Sequence, residues 1–284
     1  MDDVRAYAAA LRAALPGFFA PLEVAARLET TMARAAELAA AGAPEGATVV
    51  ADEQTEGRGR LGRAWQAPPG SSLLVSVVLR PALPPEAAWL VVAVAGTALA
   101  EAAVEVAPGP LDAGLKWPND LELGGRKAAG LLAEARPDLG VVLLGMGVNV
   151  AQGAGDFPPD LAGRATSLRL AAGAGAPRPA SSAVDRAALL GAWAERFAAG
   201  YPALAAGEAG PTLAAYRERL DTLGRRVRVE RLGGEAVEGV AVGLGADGAL
   251  TLRSAAGAEV TVASGDVEHL RLTAPAGGPL SRRP

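Results

Sequence analysis

The sequence of 284 residues contains no cysteine and only one histidine, His269. The lack of cysteine excludes disulfide bonds, thiolate catalysis and zinc or iron–sulfur sites built on Cys. A single histidine also argues against a Ser–His–Asp hydrolase. We interpret His269 as a structural or solvated residue and expect no redox function.

An excess of charge of either sign is also absent, since the net charge is −4. The chain therefore has no broad attraction for nucleic acid or an anionic membrane, and phosphate binding requires a local cationic cluster. The longest apolar run, 87–100, is shorter than the about 20 residues that span a bilayer and predicts a buried helix. Because the N-terminus is acidic and carries no secretory signal, we expect a cytoplasmic protein without membrane contact.

Lysine and asparagine are scarce, and their positions are informative. The chain has two of each, and all four lie within 116–149: Lys116, Lys127, Asn119 and Asn149. Arginine supplies the positive charge elsewhere, and a planar guanidinium does not replace the compact charge of an ammonium. We interpret this segment as functional.

The pattern of helix and strand formers predicts an α+β or a mixed α/β fold. Helices are predicted at 32–40, 84–106, 185–201 and 212–220. Strands are predicted at 47–51, 72–79, 115–117, 129–134 and 141–150, with a hairpin turning at Gly124-Gly125. The uneven spacing of these elements argues against regular βαβ repeats.

The C-terminal part has a different pattern from residue 224 onward. Short segments of alternating apolar and polar residues follow one another at regular spacing, separated by glycine turns, and this is typical of a small β-barrel. We therefore predict two domains, 1–222 and 223–273. The tail, 274–284, is rich in Pro, Gly and Arg and is predicted to be disordered.

A loop rich in glycine and arginine follows the strand predicted at 47–51. Its glycines allow backbone N–H groups to approach an anion, and its arginines, Arg58, Arg60 and Arg63, can each bind phosphate or carboxylate through two hydrogen bonds. A solvated or nucleic-acid-binding segment is the alternative. The glycines also match a dinucleotide-binding fingerprint, but Pro68-Pro69 would break the helix that this fingerprint requires.

Three further segments suit a ligand site. In KWPND (116–120), Asn119 and Asp120 follow a strand end and offer oxygen ligands for Mg²⁺, although a simple turn is the alternative. Lys127 lies near the small Gly130, so its ammonium can lie against a phosphate; a surface lysine is the alternative. Two glycines interrupt the apolar strand at 145–149, where either a ligand or a closely packed backbone would fit.

Taken in this order, the segments resemble the biotin–protein ligase family. The loop from Gln54 to Trp65 resembles the family's glycine/arginine ligand loop, and 116–120 resembles its KWPND segment. Residues 127–132 resemble its central lysine strand, and 145–149 its GxGxN strand.

The resemblance covers about residues 25–170 and implies both a fold and a reaction. The implied fold is of the α+β class: a class II synthetase-like mixed β-sheet flanked by helices, which biotin and lipoate ligases share, followed by an SH3-like β-barrel as the C-terminal domain. The reaction uses ATP and Mg²⁺ to convert biotin to biotinyl-5′-AMP with release of pyrophosphate. Biotin is then transferred to the acceptor lysine of a biotin carboxyl carrier protein, such as that of acetyl-CoA carboxylase.

The resemblance also implies roles for individual residues. Those expected to bind biotin are Thr30, Thr31, Gln54, Gly57, Arg58, Lys127, Gly130, Leu132, Gly145 and Gly147. Those expected to bind ATP or the adenylate are Arg58, Arg60, Arg63, Trp65, Lys116, Asn119, Asp120, Lys127 and Asn149. Lys127, Arg58 and Asp120 are expected to be catalytic, with Asp120 serving as Mg²⁺ ligand and as general base in transfer.

The sequence departs from the family pattern in two places and leaves open two other functions. Met32 stands where Asn is common, and Leu61 replaces a frequent Arg, which affects the affinity of those contacts. About 29 residues precede Thr30, too few for the DNA-binding domain of some members, so we expect a ligase that does not bind DNA. The sequence does not distinguish a monomer from a homodimer. A lipoate or octanoate ligase is one alternative function, and an RNA-binding protein, which the acidic net charge disfavours, is the other.

Overall fold

The computed structural model describes residues 2–173, 185–231, 234–263 and 265–269. The helices in this part of the chain are α1 (Asp2–Ala14), α2 (Thr31–Ala40), α3 (Trp89–Val106), α4 (Leu168–Ala172), α5 (Arg186–Ala205) and α6 (Ala209–Glu218). They accompany a seven-stranded sheet, which a five-stranded sheet follows in the sequence. The tail predicted to be disordered, 274–284, lies outside the described residues.

The larger sheet is mixed, as the family resemblance implies. Its strands are β1 (Leu22–Leu28), β2 (Thr48–Gln54), β3 (Ser72–Leu79), β4 (Ala113–Lys116), β5 (Asp120–Leu123), β6 (Arg126–Arg136) and β7 (Val141–Asn149). Their spatial order is β1-β2-β3-β7-β6-β5-β4. β1 and β2 are parallel, and every other neighbouring pair is antiparallel. The α+β fold class is therefore confirmed, with α1, the short helix α4 and the edge strand β1 added to the predicted elements.

The two faces of this sheet are covered differently. Side chains of β6 and β7 such as Leu131, Met146 and Val148 point to the face that packs on α3 and α5 and belong to the main core. On the opposite face, α2 packs over one part of β7 through a smaller apolar cluster that includes Leu143. Because successive side chains of a strand alternate between faces, Gly145 and Gly147 lie on the same face as Leu143. We call this second face the ligand face.

Helix α3 confirms the prediction of a buried helix in the apolar run. The stretch Pro85–Val106 is long and apolar enough to cross a membrane by length and composition alone, but 72% of its most apolar window is buried inside the fold. It packs against α5 and α6, and the Trp193 ring nitrogen donates to Ala95 O at 3.1 Å. The apolar surface of α3 is therefore used by the core of the protein.

The C-terminal sheet is antiparallel throughout. Its strands are β8 (Arg226–Glu230), β9 (Ala236–Leu244), β10 (Leu250–Arg253), β11 (Glu259–Val262) and β12 (Asp266–His269). They are ordered β11-β10-β9-β8-β12. The predicted antiparallel strands are confirmed, but in the part of the chain that the structure describes the end strands β11 and β12 do not pair, so these strands form an open sheet and not the predicted closed barrel. Val227 and Leu250 belong to the main core, which joins the two sheets. His269 lies on β12, and its side chain lies outside the described part.

Candidate active site

A row of glycines forms the centre of the ligand face. Gly130 on β6 pairs with Gly147 on β7, and Gly145 lies two residues earlier on the same strand. A Cβ atom would lie 2.8 Å from the Trp65 ring at Gly147 and 3.4 Å from it at Gly130. We call Gly130, Gly145 and Gly147 the glycine shelf. Because these three glycines have no side chains, the Trp65 ring can lie directly against the backbone at Gly130 and Gly147.

Trp65 reaches the shelf because the loop between β2 and β3 folds back on itself. Gly59 N donates to Arg63 O at 2.7 Å, and Trp65 N donates to Gly57 O at 2.8 Å. A Cβ atom at Gly57 would lie 2.5 Å from Trp65 O, so a larger residue at position 57 would push the two arms of the hairpin apart. The glycines of the predicted anion-binding loop thus close a hairpin.

A buried polar cluster joins α2, β2 and β3 at one end of the shelf. Gln54 Oε1 accepts hydrogen bonds from Thr31 N at 2.7 Å and from Thr31 Oγ1 at 3.0 Å. Ser76 Oγ donates to Thr31 Oγ1 at 2.8 Å. Ser76 lies opposite Gly145 in the pairing of β3 with β7, so the cluster borders the shelf. The sequence motifs contain Thr31 and Gln54 but not Ser76.

The residues on either side of Thr31 have different contacts. Thr30 is the N-cap of α2, and its side chain accepts from Ala33 N at 2.9 Å, so its hydroxyl is used by the helix. Met32 packs on the shelf, since a Cβ at Gly145 would lie 2.9 Å from its sulfur. Met32, which stands where Asn is common in the family, therefore places an apolar side chain beside the glycines.

Both lysines of the chain are paired with carboxylates of β5 at the opposite end of the shelf. Lys127 Nζ lies 2.7 Å from Asp120 Oδ1, and Lys116 Nζ lies 3.3 Å from Glu122 Oε1. The side chain of Lys127 is 39% exposed, whereas that of Lys116 is 21% exposed and that of Glu122 only 7%. A Cβ at Gly130 would lie 3.5 Å from Lys127 Nζ. Lys127 thus presents an accessible ammonium at the shelf.

Asn119 and Arg60 extend this charged end. Asn119 Nδ2 donates to Leu131 O at 2.7 Å, and Arg60 Nη1 donates to Asn119 Oδ1 at 3.4 Å. Burial lowers the pKa of Arg60, while the carboxylate of Asp120 acts in the opposite direction and the nearby Arg63 adds to the lowering. A guanidinium remains charged in proteins, so Arg60 places a half-buried positive charge near the start of β5.

Two residues of the predicted set are used elsewhere. Arg58 is 73% exposed and is paired with Glu56 at 3.4 Å on the outside of the loop. Asn149 is buried, donates to Thr166 O at 3.0 Å and accepts from Gln152 Nε2 at 3.1 Å. The structure therefore brings Lys127 and Asp120 together at the shelf but leaves Arg58 in solvent, and Asn149 holds the end of β7.

The ligand face consequently suits an elongated ligand. Its polar cluster offers hydrogen bonds at one end, its glycine shelf and Trp65 offer an apolar surface in the middle, and its lysine and arginine offer positive charge at the other end. Charges of this kind stabilise phosphate groups and the negative charge that develops during phosphoryl or nucleotidyl transfer.

Comparisons with known proteins define the class of this site. Residues 24–150 match the biotin/lipoate A/B protein ligase family, and residues 222–270 match the biotin protein ligase C-terminal domain. The chain is 40% identical over 259 residues to the biotin–acetyl-CoA-carboxylase ligase of Mycobacterium tuberculosis, covering 88% of this chain and 89% of the relative. It is 35% identical over 243 residues to the enzyme of that name from Paracoccus denitrificans, covering 84% and 97%.

A solved structure agrees with these matches. The biotin protein ligase from Aquifex aeolicus in complex with biotin and ATP superposes with a TM-score of 0.71 at 27% identity, covering 89% of this chain and all of that one. The fold, the site and the sequence matches together define an enzyme of the protein ligase class. The chain belongs to the biotin–protein ligase family.

Proposed function

We propose that the protein activates biotin with ATP to biotinyl-5′-AMP, releasing pyrophosphate, and transfers biotin to the acceptor lysine of a biotin carboxyl carrier protein. The observation that carries the proposal is the arrangement of the ligand face. The Thr31–Gln54 cluster and Lys127 lie at opposite ends of the glycine shelf. Biotin has a matching arrangement, with a ureido group at one end and a carboxylate at the other.

The polar cluster favours biotin over lipoate or octanoate. The ureido group of biotin carries a carbonyl acceptor and two N–H donors, whereas the dithiolane ring of lipoate and the alkyl end of octanoate carry neither. Packing an apolar end group against Thr31 and Gln54 would leave their polar atoms without partners, and a site built to hydrogen-bond rejects such analogues strongly.

The proposed residue roles follow the sequence expectation, with refinements at four residues. Thr30 acts through α2, since its hydroxyl caps the helix, and Asn149 acts by holding the end of β7. Trp65 lies against the shelf and is proposed to contact the biotin chain as well as the adenylate. Arg58 would reach the ligand only when its loop closes over the site, which also shields the adenylate from water.

For activation, the biotin carboxylate attacks the α-phosphorus of ATP in line, and the bond from that phosphorus to pyrophosphate breaks. Lys127 and Arg60 stabilise the negative charge of the transition state. Asp120 holds Lys127 at 2.7 Å and so fixes the position of its ammonium. In transfer, the acceptor amine attacks the acyl carbon, AMP departs, and we propose that Asp120 accepts the proton of the amine.

Mg²⁺ is proposed to accompany ATP. Among the residues that the structure describes, no group of three or more His, Cys, Asp or Glu could hold a metal ion. Asp120 uses Oδ1 for its bond to Lys127, and a single carboxylate fits an ion whose other ligands are phosphate oxygens and water. The ion would neutralise charge on the phosphates. Removal of Mg²⁺ with a chelator should then abolish adenylation, and full activity in its presence would contradict this proposal.

The remaining expectations are proposed together. We propose a cytoplasmic enzyme, monomeric or homodimeric, that binds neither DNA nor membranes. We also propose that the ligase domain ends near residue 222, where the C-terminal domain begins. Gel-filtration mass and retardation of duplex DNA in a gel measure the oligomeric state and the DNA binding directly.

The transfer reaction is tested with a purified carrier domain of acetyl-CoA carboxylase. The protein is incubated with ATP, Mg²⁺ and biotin, and mass spectrometry locates the modification on the carrier. We expect one biotinyl group on the acceptor lysine and none on a carrier in which that lysine is arginine. Modification by lipoate but not by biotin would overturn the proposed substrate, and modification of many lysines would overturn the proposed acceptor.

A further inference from the structure

We infer that Ser76 is a positioning residue that determines the specificity of this site for the ureido group. It fixes the direction of the hydrogen bonds that Thr31 and Gln54 present to the ligand. The inference rests on the placement of biotin proposed above, with its ureido group at the polar cluster.

Ser76 acts from behind the site, because it is fully buried on β3. It lies opposite Gly145 on the ligand face, where a Cβ at Gly145 would lie 3.7 Å from its hydroxyl oxygen. Met32 and Thr31 also lie against this region. A bound ligand would contact Thr31 and Gln54 while Ser76 remains covered.

The backbone N–H of Thr31 can only donate a hydrogen bond, and this fixes the direction of every hydrogen bond in the polar cluster. The backbone N–H of Thr31 lies 2.7 Å from the side-chain oxygen of Gln54, so that atom must be the acceptor and the amide orientation is fixed. The Thr31 hydroxyl lies 3.0 Å from the same oxygen and must therefore donate its proton to it. The hydroxyl oxygen of Thr31 can then only accept from Ser76, whose proton is used in this bond.

These hydrogen-bond directions leave a defined set of free donors and acceptors for the ligand. Gln54 keeps its Nε2 donors, and Thr31 keeps one lone pair as an acceptor. A donor beside an acceptor is complementary to the carbonyl and N–H groups of a ureido ring. Without the Ser76 hydroxyl, the Thr31 hydroxyl is free to rotate, so it can face the ligand as a donor or as an acceptor. Binding of the ligand would then have to fix the orientation of this hydroxyl, and affinity would fall.

The test compares Ser76→Ala with a matched control, Thr48→Val. The Thr48 hydroxyl is also buried and donates to Gly46 O at 2.8 Å, but Thr48 lies on β2 with its side chain on the opposite face of the sheet. Both variants lose one buried hydrogen bond, so their melting temperatures should fall by similar amounts. Only Ser76→Ala should raise the KM for biotin, by about fivefold, the effect of one hydrogen bond, with kcat and the KM for ATP unchanged.

Desthiobiotin separates this role from a packing role. It keeps the ureido group and lacks the sulfur, so Ser76→Ala should raise its KM by the same factor as that of biotin. A rise for biotin alone would place Ser76 at the sulfur and overturn the inference, and an unchanged KM for both would also overturn it. Ser76→Cys, with a weak donor at the same position, should give an intermediate KM and serves if Ser76→Ala does not fold.

Two further variants distinguish failure of the inference from failure of the proposed placement. Thr31→Ala and Gln54→Leu remove the groups that would contact the ureido ring directly. If they raise the KM for biotin and Ser76→Ala does not, the placement stands and the role of Ser76 is wrong. If all three leave the KM unchanged, the proposed position of the ureido group is wrong and the inference falls with it.

Discussion

Replacement of Lys127 by methionine should slow the formation of biotinyl-5′-AMP by about 10²-fold. Methionine keeps most of the length of the side chain and removes its charge. A unit charge about 4 Å from the developing charge contributes about 4 kcal/mol at an effective dielectric constant of 20, which corresponds to about 10³ in rate. Lys127 is 39% exposed and shares its charge with Asp120, so solvent screening and this pairing reduce the expected effect.

The measurement is single-turnover formation of biotinyl-5′-AMP with enzyme in excess. Lys116→Met is the matched comparison, because Lys116 is the other lysine of the chain and is held in a more buried pair with Glu122. We expect its loss in rate to be clearly smaller. Lys127→Arg keeps the charge but not the compact ammonium and should give an intermediate rate. A Lys127→Met rate within threefold of the wild type would refute the assignment.

Three further predictions concern the shelf, the contact between the sheets and a half-buried acid. Gly147→Ala places a Cβ 2.8 Å from Trp65 and should displace the indole, raising the KM for biotin about tenfold in a pyrophosphate assay; an unchanged KM would contradict this. Trp117→Phe removes the bond from the indole to buried Gly248 O, 2.8 Å long, and should lower the urea-measured free energy of unfolding by about 1–3 kcal/mol; an unchanged midpoint would count against it. Partial burial raises the pKa of Asp221, which is 38% exposed, and the opposing charge of Arg225 offsets part of this effect, so its charged form costs some stability above that pKa. Asp221→Asn should therefore raise the melting temperature at pH 7, and this increase should become smaller at acidic pH, where Asp221 is protonated. An increase of the same size at both pH values would contradict this explanation.

The sequence predicts the elements of the fold where a strong local signal exists. The helix-forming segment of α2, the apolar run of α3 and the turn at Gly124-Gly125 all mark elements that the structure reproduces. The sequence pattern does not predict helix α1, the five-residue helix α4 or strand β1. β1 is the edge strand, only partly buried, and carries charged side chains such as Arg27, so it shows neither an apolar run nor strict alternation.

The candidate site shows the same limit at the level of side chains. Gly130, Gly147 and Lys127 stand out because glycine in a strand and a rare lysine are unusual in this sequence. Ser76 does not stand out, because it lies in an apolar strand that is buried on both faces, where the face of each residue cannot be read from alternation. Its contact with Thr31 spans 45 positions and depends on the packing of α2 on β3.

Residue roles also depend on where the backbone directs each side chain. Arg58 and Arg60 are two positions apart in the loop, yet Arg58 is in solvent and Arg60 lies against Asn119. The short helical turn that begins at Arg60 separates their directions, and no sequence motif encodes that turn.

Release of pyrophosphate from ATP and Mg²⁺, with biotin, lipoate or octanoate supplied separately, tests the proposed chemistry most directly. We predict rapid release with biotin and background release with the other two acids, because only biotin satisfies the polar cluster of Thr31 and Gln54. Release with lipoate or octanoate but not with biotin would contradict the proposed substrate while keeping the site. No release with any of the three acids would contradict the proposal that this ligand face activates a carboxylate.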